Sequence, residues 1–138
     1  APPMAAEALG RPPCTIADLA GGLRWPPGVD VGLVETVGGV RSPLAADGDT
    51  VDLARVVRPH LVTLVAESGL GAINAVRLSA DALTPWPLVV HLNRFDGRAD
   101  VHARNREWLA GRDGLTVTVG VGSLARVVAP AATARDRR

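Results

Sequence analysis

The sequence predicts an α/β fold in which a parallel β-sheet carries helices on its faces, as in a Rossmann-like three-layer domain. Short runs rich in Val and Leu alternate along the chain with stretches that have helical spacing. The runs are apolar on both faces, which is typical of parallel strands covered by helices. The chain has 138 residues, of which 47% are hydrophobic, and this is enough to bury the core of one domain.

Four apolar runs bounded by turn residues are predicted to form the strands of this sheet. Each is short and contains several Val or Leu residues, which favours a buried strand. The runs are VGLVET (31–36), LVTLVA (61–66), LVVHL (88–92) and LTVTV (115–119). Domains of this class normally begin with a strand, and none is predicted before Val31. We therefore expect the numbering to start inside a domain.

Helices are predicted between these strands. Asp49 precedes one helical stretch as its N-cap, because its carboxylate can accept the first free backbone N–H groups. Gly111 ends another stretch at a C-cap position, which favours glycine. The predicted helices cover 49–57, 72–83 and 99–111, and two more lie at 4–9 and 15–23. We assign residues 1–127 to the α/β domain and predict that the small, polar and basic residues 128–138 form a disordered tail.

The composition excludes several classes of function. The formal net charge is +1, so the chain has neither a basic stripe for nucleic acid nor a polybasic patch for a membrane. All basic residues are Arg, which rules out a Schiff-base lysine, a lysine general base and a P-loop lysine within these residues. A single cysteine, Cys14, excludes an internal disulfide and a Cys-based zinc finger. No membrane-spanning run and no signal peptide are visible, so we predict a cytoplasmic location.

The residues that follow the predicted strands are the candidates for ligand binding, because open α/β sheets bind ligands beyond the carboxyl ends of their strands. The first strand ends at Glu35, and Gly38 and Gly39 follow. A carboxylate there resembles the acidic residue that holds Mg²⁺ in P-loop enzymes, and the two glycines permit close approach of a phosphate or substrate. The alternative is an ordinary strand end followed by a glycine turn.

The second and third strands also lead into candidate site residues. A glycine-containing loop opens directly into a helix over Gly69, Leu70, Gly71, Ala72, Ile73 and Asn74. The N–H groups and dipole of a helix N-terminus favour a carboxylate or phosphate, although tight turns also use glycine for steric reasons alone. The third strand is followed by Asn93, whose amide matches a purine edge and is equally an ordinary turn residue. His91 is predicted to be a hydrogen-bonded core residue, and the three histidines lack the spacing of a zinc site.

Taken in order, these motifs resemble the second part of the dethiobiotin synthetase family. The segment VETVGGVRSPL (34–44) is followed by a helix, a strand and GLGAIN (69–74), and then by a strand and LNR (92–94). The family typically has VEGAGG before a Pro-Leu step, GxLGxIN or a close variant, and a strand that ends in Asn. The opening stretch APPMAAEALGRP (1–12) is similar to the family's SPHxAA segment. The resemblance covers residues 1–122.

The resemblance implies a P-loop NTPase-like domain that uses ATP and Mg²⁺ to close a ureido ring in biotin synthesis, from diaminopelargonic acid and CO₂. Glu35 then matches the Mg²⁺ ligand, and Gly38 and Gly39 match the loop beside the nucleotide. Asn93 matches the residue that reads adenine. Residues 69–74 match the site of the substrate carboxylate, which the family supplies across a homodimer interface.

The resemblance also implies that the family's first strand and P-loop, with its lysine and Thr, lie on a missing N-terminal segment or a partner chain. We therefore predict that the isolated chain is inactive, and we assign no catalytic residue within it. Departures from the family pattern stand at Thr36, Val37 and Met4, and at GVGS (120–123). They leave open a noncatalytic homologue that acts as a partner or regulatory subunit. A cobyrinate amidase-like or partition ATPase-like protein is a third alternative, against which the GLGAIN helix start favours the first family.

Overall fold

The computed structural model describes residues 1–133, and the side chains of residues 1–130. It divides the chain into two compact units, Ala1–Pro59 and His60–Arg138, which we call the N-terminal and C-terminal units. The single α/β domain predicted for residues 1–127 remains a prediction.

The N-terminal unit combines three short helices with a two-stranded antiparallel hairpin. Its core is a cluster in which the buried residues Ile16, Leu44, Ala45 and Leu53 pack together. Asp49 caps the third helix as predicted, since its carboxylate accepts hydrogen bonds from the backbone N–H groups of Val51 and Asp52. The elements are α1 Pro2–Ala8, α2 Ile16–Gly22, β1 Pro43–Ala45, β2 Gly48–Asp49 and α3 Thr50–Val57.

The strand predicted at residues 31–36 is absent, and that prediction is wrong. The segment has no regular secondary structure, and the side chain of Leu33 is 81% exposed. A strand that is apolar on both faces needs neighbouring strands to accept its backbone hydrogen bonds. Within the described part of the N-terminal unit, β1 and β2 pair only with each other. The apolar run therefore remains without regular secondary structure, and Val31, Leu33 and Val34 are exposed.

The C-terminal unit contains a three-stranded parallel sheet with flanking helices, which confirms the predicted α/β class. The strand order is β3-β4-β5, so three of the four predicted strands and the helix predicted at 72–83 are confirmed. The elements are β3 Val62–Glu67, α4 Ala72–Ala82, β4 Leu88–Asn93, α5 Asp100–Glu107, a π-helical turn Trp108–Arg112, β5 Thr116–Val119 and α6 Val121–Thr133.

The core of this unit joins the sheet to the helices. Val90 and Leu92 of β4 pack with Val76 of α4 and Leu109 of the π-helical turn, and all four side chains are at most 1% exposed. His91 is buried and its Nδ1 lies 3.0 Å from the hydroxyl of Thr118, as expected of a hydrogen-bonded core histidine. Burial of this set therefore fixes the strands whose ends carry the candidate site.

Residues 128–133 belong to α6, where the sequence predicted a disordered tail. The stretch contains Ala, the strongest helix former, together with Pro130, which lies inside the helix, and α6 contacts β5. Residues 134–138, the remainder of the predicted tail, lie outside the described residues. Among the described helices, none is both long enough and apolar enough to cross a membrane.

Candidate functional site

The candidate site lies where β3 and β4 end, at what we call the carboxyl edge of the sheet. The parallel register pairs Glu67 at the end of β3 with Asn93 at the end of β4. Leu92 pairs with Val119, so β5 ends beside them. Ligands of parallel sheets bind at this edge, because loops and helix N-termini meet there.

The loop from β3 to α4 supplies an open helix N-terminus. Gly71 occupies the N-cap with a φ of 87°, a conformation that glycine adopts without strain, and no side chain caps this end. The side chain of Leu70 is 99% exposed. Because the first N–H groups of a helix lack partners within the helix, this end can accept an anionic group. Residues 69–74, predicted from the sequence to bind a carboxylate, thus have suitable backbone chemistry.

A buried serine joins this loop to the end of β4. Ser68 is 1% exposed, and its hydroxyl donates a hydrogen bond of 2.6 Å to the carbonyl oxygen of Asn93. The side-chain carbonyl of Asn93 accepts a hydrogen bond from the backbone N–H of Arg94, whose φ is 51°. The amide nitrogen of Asn93 remains on an exposed side chain as a donor. The structure therefore brings residues 69–74 and Asn93 together at one edge of the sheet.

The inner face of α5 contributes two residues that were not predicted as site residues. Asn105 is buried, and its side-chain nitrogen donates to the carbonyl oxygens of Ser68 and Gly69 at 2.9 and 2.7 Å. Nε2 of His102 lies 3.8 Å from the position that a Cβ on Gly69 would occupy. One signal was present in the sequence: Asn105 precedes the apolar Leu109 by four residues, so helical spacing places this polar residue on a buried face.

The segment between β4 and α5 is held by local hydrogen bonds. The backbone N–H of Asp96 donates to Nδ1 of His102 at 3.0 Å, which leaves the proton of a neutral ring on Nε2. Hydrogen bonds from Arg98 hold the pKa of Asp96 below its usual value, and the backbone N–H of Arg98 has a larger effect than its guanidinium. A negative charge at Asp96 therefore remains beside the site at neutral pH.

The end of β5 begins another turn at this edge. Gly120 has a φ of 74°, and the hydroxyl of Ser123 donates to the carbonyl oxygens of Val119 and Gly120 at 2.5 and 2.9 Å. The side chain of Ser123 thus closes this turn. Ser123 thereby gives a hydrogen-bond donor to carbonyl groups at the end of the strand.

Glu35, Gly38 and Gly39 lie in the N-terminal unit, whereas 69–74 and Asn93 lie in the C-terminal unit. Glu35 is exposed and follows no strand, contrary to the predicted strand end. Gly38 has a φ of 86°, and the backbone N–H of Gly39 donates to the hydroxyl of Ser42 at 3.1 Å. The two glycines therefore form a turn closed by Ser42. The part of the chain that the structure describes contains no group of three or more His, Cys, Asp or Glu side chains able to hold a metal ion.

The known proteins to which this chain is similar include two that are each named ATP-dependent dethiobiotin synthetase BioD. The protein from Haloferax mediterranei is 36% identical over 89 residues, which cover 62% of this chain and 38% of that protein. The protein from Corynebacterium efficiens is 42% identical over 83 residues, which cover 59% of this chain and 37% of that protein. The match thus spans less than two-fifths of either relative.

No family model matches the chain. No solved structure matches it either. The two relatives, the parallel sheet and the motifs at its carboxyl edge nevertheless agree with one another. They confirm the resemblance seen in the sequence, and the chain is dethiobiotin synthetase-like.

Proposed function

We propose that this chain is part of a dethiobiotin synthetase-like, ATP-dependent ligase and that its carboxyl edge binds the substrate carboxylate and the adenine base. One observation carries the proposal: the hydrogen bond from Ser68 to the carbonyl of Asn93, which links the two segments predicted to bind these groups. The relatives' shared name supports ATP as the nucleotide. Diaminopelargonic acid and CO₂ are the proposed substrates.

The start of α4 is the proposed carboxylate site. Its first turn presents the backbone N–H groups of Ile73 and Asn74 without a capping side chain, whereas the Ala72 N–H donates to the Gly69 carbonyl. Gly69 and Gly71 have no Cβ that would shield this end. A carboxylate at this end gains hydrogen bonds and a favourable interaction with the helix dipole.

Asn93 is the proposed adenine-binding residue. Its side-chain nitrogen donates to the ring acceptors of a purine, and its oxygen retains a second lone pair beside the one that accepts from Arg94. The side-chain amide thus offers both a hydrogen-bond donor and an acceptor to the edge of the base. At position six, guanine carries a carbonyl acceptor where adenine carries an amino donor, so the hydrogen bonds that Asn93 would make to adenine disfavour guanine.

Glu35 is the proposed Mg²⁺ ligand, with Gly38 and Gly39 beside the nucleotide phosphates. A lone exposed carboxylate fits this ion, because Mg²⁺ keeps several waters and takes one or two carboxylates together with phosphate oxygens. When bound, the ion would neutralise charge on the phosphates of ATP. In this chain, Glu35 would contribute one negatively charged oxygen ligand, and Gly38 and Gly39 have no side chains that would keep a phosphate at a distance.

The proposed reaction joins CO₂ to one amine as a carbamate, activates the carbamate with the γ-phosphoryl group, and closes the ring by attack of the second amine with loss of phosphate. Such chemistry depends on neutralising phosphate charge. The sequence contains no lysine and no Gly-Lys-Ser/Thr loop, so we propose that a P-loop on another segment or chain completes the site. A homodimer and a cytoplasmic location are parts of the same proposal.

A pair of glycine substitutions tests the carboxylate site. Gly71→Val places a β-branched residue at a φ of 87° and crowds the open helix end. Gly114→Val is the matched control, because Gly114 has a φ of 66° and, like Gly71, no atom within 4 Å of its added Cβ. We expect calorimetric titration with diaminopelargonic acid to show affinity weakened about tenfold or more by the first variant only. Equal losses in both variants would contradict the carboxylate site.

A noncatalytic homologue is the second candidate. It is favoured by the departures from the family pattern at Thr36 and Val37, next to Glu35, and by the irregular, exposed segment that carries them. Supplying the P-loop segment of a relative in trans separates the two candidates. Dethiobiotin formation supports the ligase, whereas a stable complex without product supports the partner subunit.

A further inference from the structure

We propose that Asn105 is a positioning residue that holds the loop from β3 to α4 in the conformation from which α4 begins. The inference rests on the proposed function only for its ligand, the substrate carboxylate. The contact itself is between two elements of the C-terminal unit. Through this contact, α5 would support the candidate site, although none of the sequence motifs lies on α5.

The chemistry of the contact requires an amide at this position. Asn105 is 8% exposed, and both partners of its side-chain nitrogen are backbone carbonyl oxygens, of Ser68 and Gly69. Because carbonyls only accept, the nitrogen of the amide must point toward them. A single planar NH₂ group thus satisfies two consecutive carbonyls, and the carbonyl of the buried Ser68 would be costly to leave without a partner.

One of these carbonyls also starts the helix. The Gly69 oxygen accepts the backbone N–H of Ala72, the first residue of α4, at 3.2 Å. Asn105 therefore holds the same oxygen that closes the turn before the helix. A shift of Gly69 would move the first N–H groups of α4, which form the proposed carboxylate site.

The loop has few other restraints of its own. Gly69 and Gly71 lack side chains, and Leu70 is 99% exposed, so this residue adds little packing. Glycines also lose more conformational entropy than other residues when a loop is ordered. The hydrogen bonds of Asn105 offset this cost in the folded state, and so preorganise the helix end before a ligand arrives.

Two substitutions test the role of Asn105. Asn105→Ala removes both donors, and Asn105→Asp keeps the size while it sets a carboxylate against two carbonyl oxygens. Thr118→Val is the matched control, because the buried Thr118 hydroxyl pairs with Nδ1 of His91 and donates to the carbonyl oxygen of Val90, and both partners lie within the sheet. Hydrogen–deuterium exchange of the whole chain then measures the Ala72 amide, and calorimetry measures affinity for diaminopelargonic acid.

We expect both Asn105 variants to raise exchange at Ala72 about tenfold above the control and to weaken diaminopelargonic acid binding by a similar factor. Unchanged exchange at Ala72 would overturn the proposal. Raised exchange with full affinity would also overturn it, because the loop would then not position the site. If the unmodified chain binds no diaminopelargonic acid, the proposed function fails, and exchange at Ala72 alone decides whether Asn105 holds the loop.

Discussion

The hydroxyl of Ser68 and the backbone carbonyl of Asn93 lie 2.6 Å apart and form a hydrogen bond between the residues that leave β3 and β4. These residues are 25 positions apart in the sequence, and the bond ties the proposed carboxylate loop to the proposed adenine contact. The parallel register brings the two strand ends side by side, and the serine then fixes the distance between their loops. Binding at one segment is thereby linked to the geometry of the other.

Ser68→Ala is expected to weaken this link. Removing the donor leaves the Asn93 carbonyl without its serine partner, and the free energy of unfolding should fall by about 1 kcal/mol. Urea denaturation measures the loss. Thr84→Val is the control, because the Thr84 hydroxyl donates to the backbone carbonyl oxygen of Asp81 in an exposed turn. A loss no larger than that of the control would show that the Ser68 bond contributes little.

Asn93→Ala should lower ATP affinity and reduce the preference for ATP over GTP. The reason is that a purine edge then loses its polar partner, which costs about tenfold in discrimination. Competition against a fluorescent ATP analogue measures both affinities. Asn93→Asp is the companion variant, since it keeps an oxygen for the Arg94 N–H and lacks the amide donor. An intact ATP preference in both variants would make Asn93 a turn residue only.

Glu35→Gln tests the proposed metal ligand. The amide has the same shape and lacks the negative charge that Mg²⁺ prefers, so the Mg²⁺-dependent part of ATP binding should disappear. Because Glu35 is exposed, the melting temperature should stay close to that of the unmodified chain. Glu7→Gln, at an exposed position of α1, is the control. Identical Mg²⁺ dependence in calorimetric titrations of both variants would remove Glu35 from the site.

Asp113→Asn should change how stability depends on pH. Arg77 donates to both carboxylate oxygens of Asp113, at 2.9 and 2.5 Å, and these hydrogen bonds hold the pKa of Asp113 below its ordinary value of 3.8. Since the pKa is lower in the folded state, the stabilisation is present above pH 3.8 and is lost as the pH falls through the folded value.

The stability difference between the unmodified chain and Asp113→Asn should therefore be constant from neutral pH to about pH 4 and shrink below it. Thermal melts across this range measure the difference. The exposed Asp30→Asn variant controls for the general effect of losing a carboxylate. A difference that grows as the pH falls would contradict the assigned ion pair.

Local patterns in the sequence determined much of this protein. The Val-rich runs at 61–66, 88–92 and 115–119 predict β3, β4 and β5, which form a parallel sheet. Only β4 is buried along most of its length, whereas β3 alternates between half-buried and exposed residues. Asp49 predicts the start of α3, because an N-cap interacts only with the next turn. The sequence also predicts that the loop at 69–74 and Asn93 lie close together, because the carboxyl ends of parallel strands meet at one edge of the sheet.

Other features were decided by tertiary structure alone. The run at 31–36 has the same composition as a buried strand, and it becomes one only if another strand accepts its backbone hydrogen bonds. Helical spacing places Asn105 on a buried face, yet its partners are carbonyls 36 and 37 residues away that packing brings within hydrogen-bond distance. Backbone hydrogen bonds between strands and buried polar contacts both join residues distant in sequence, so their formation depends on the folded neighbours.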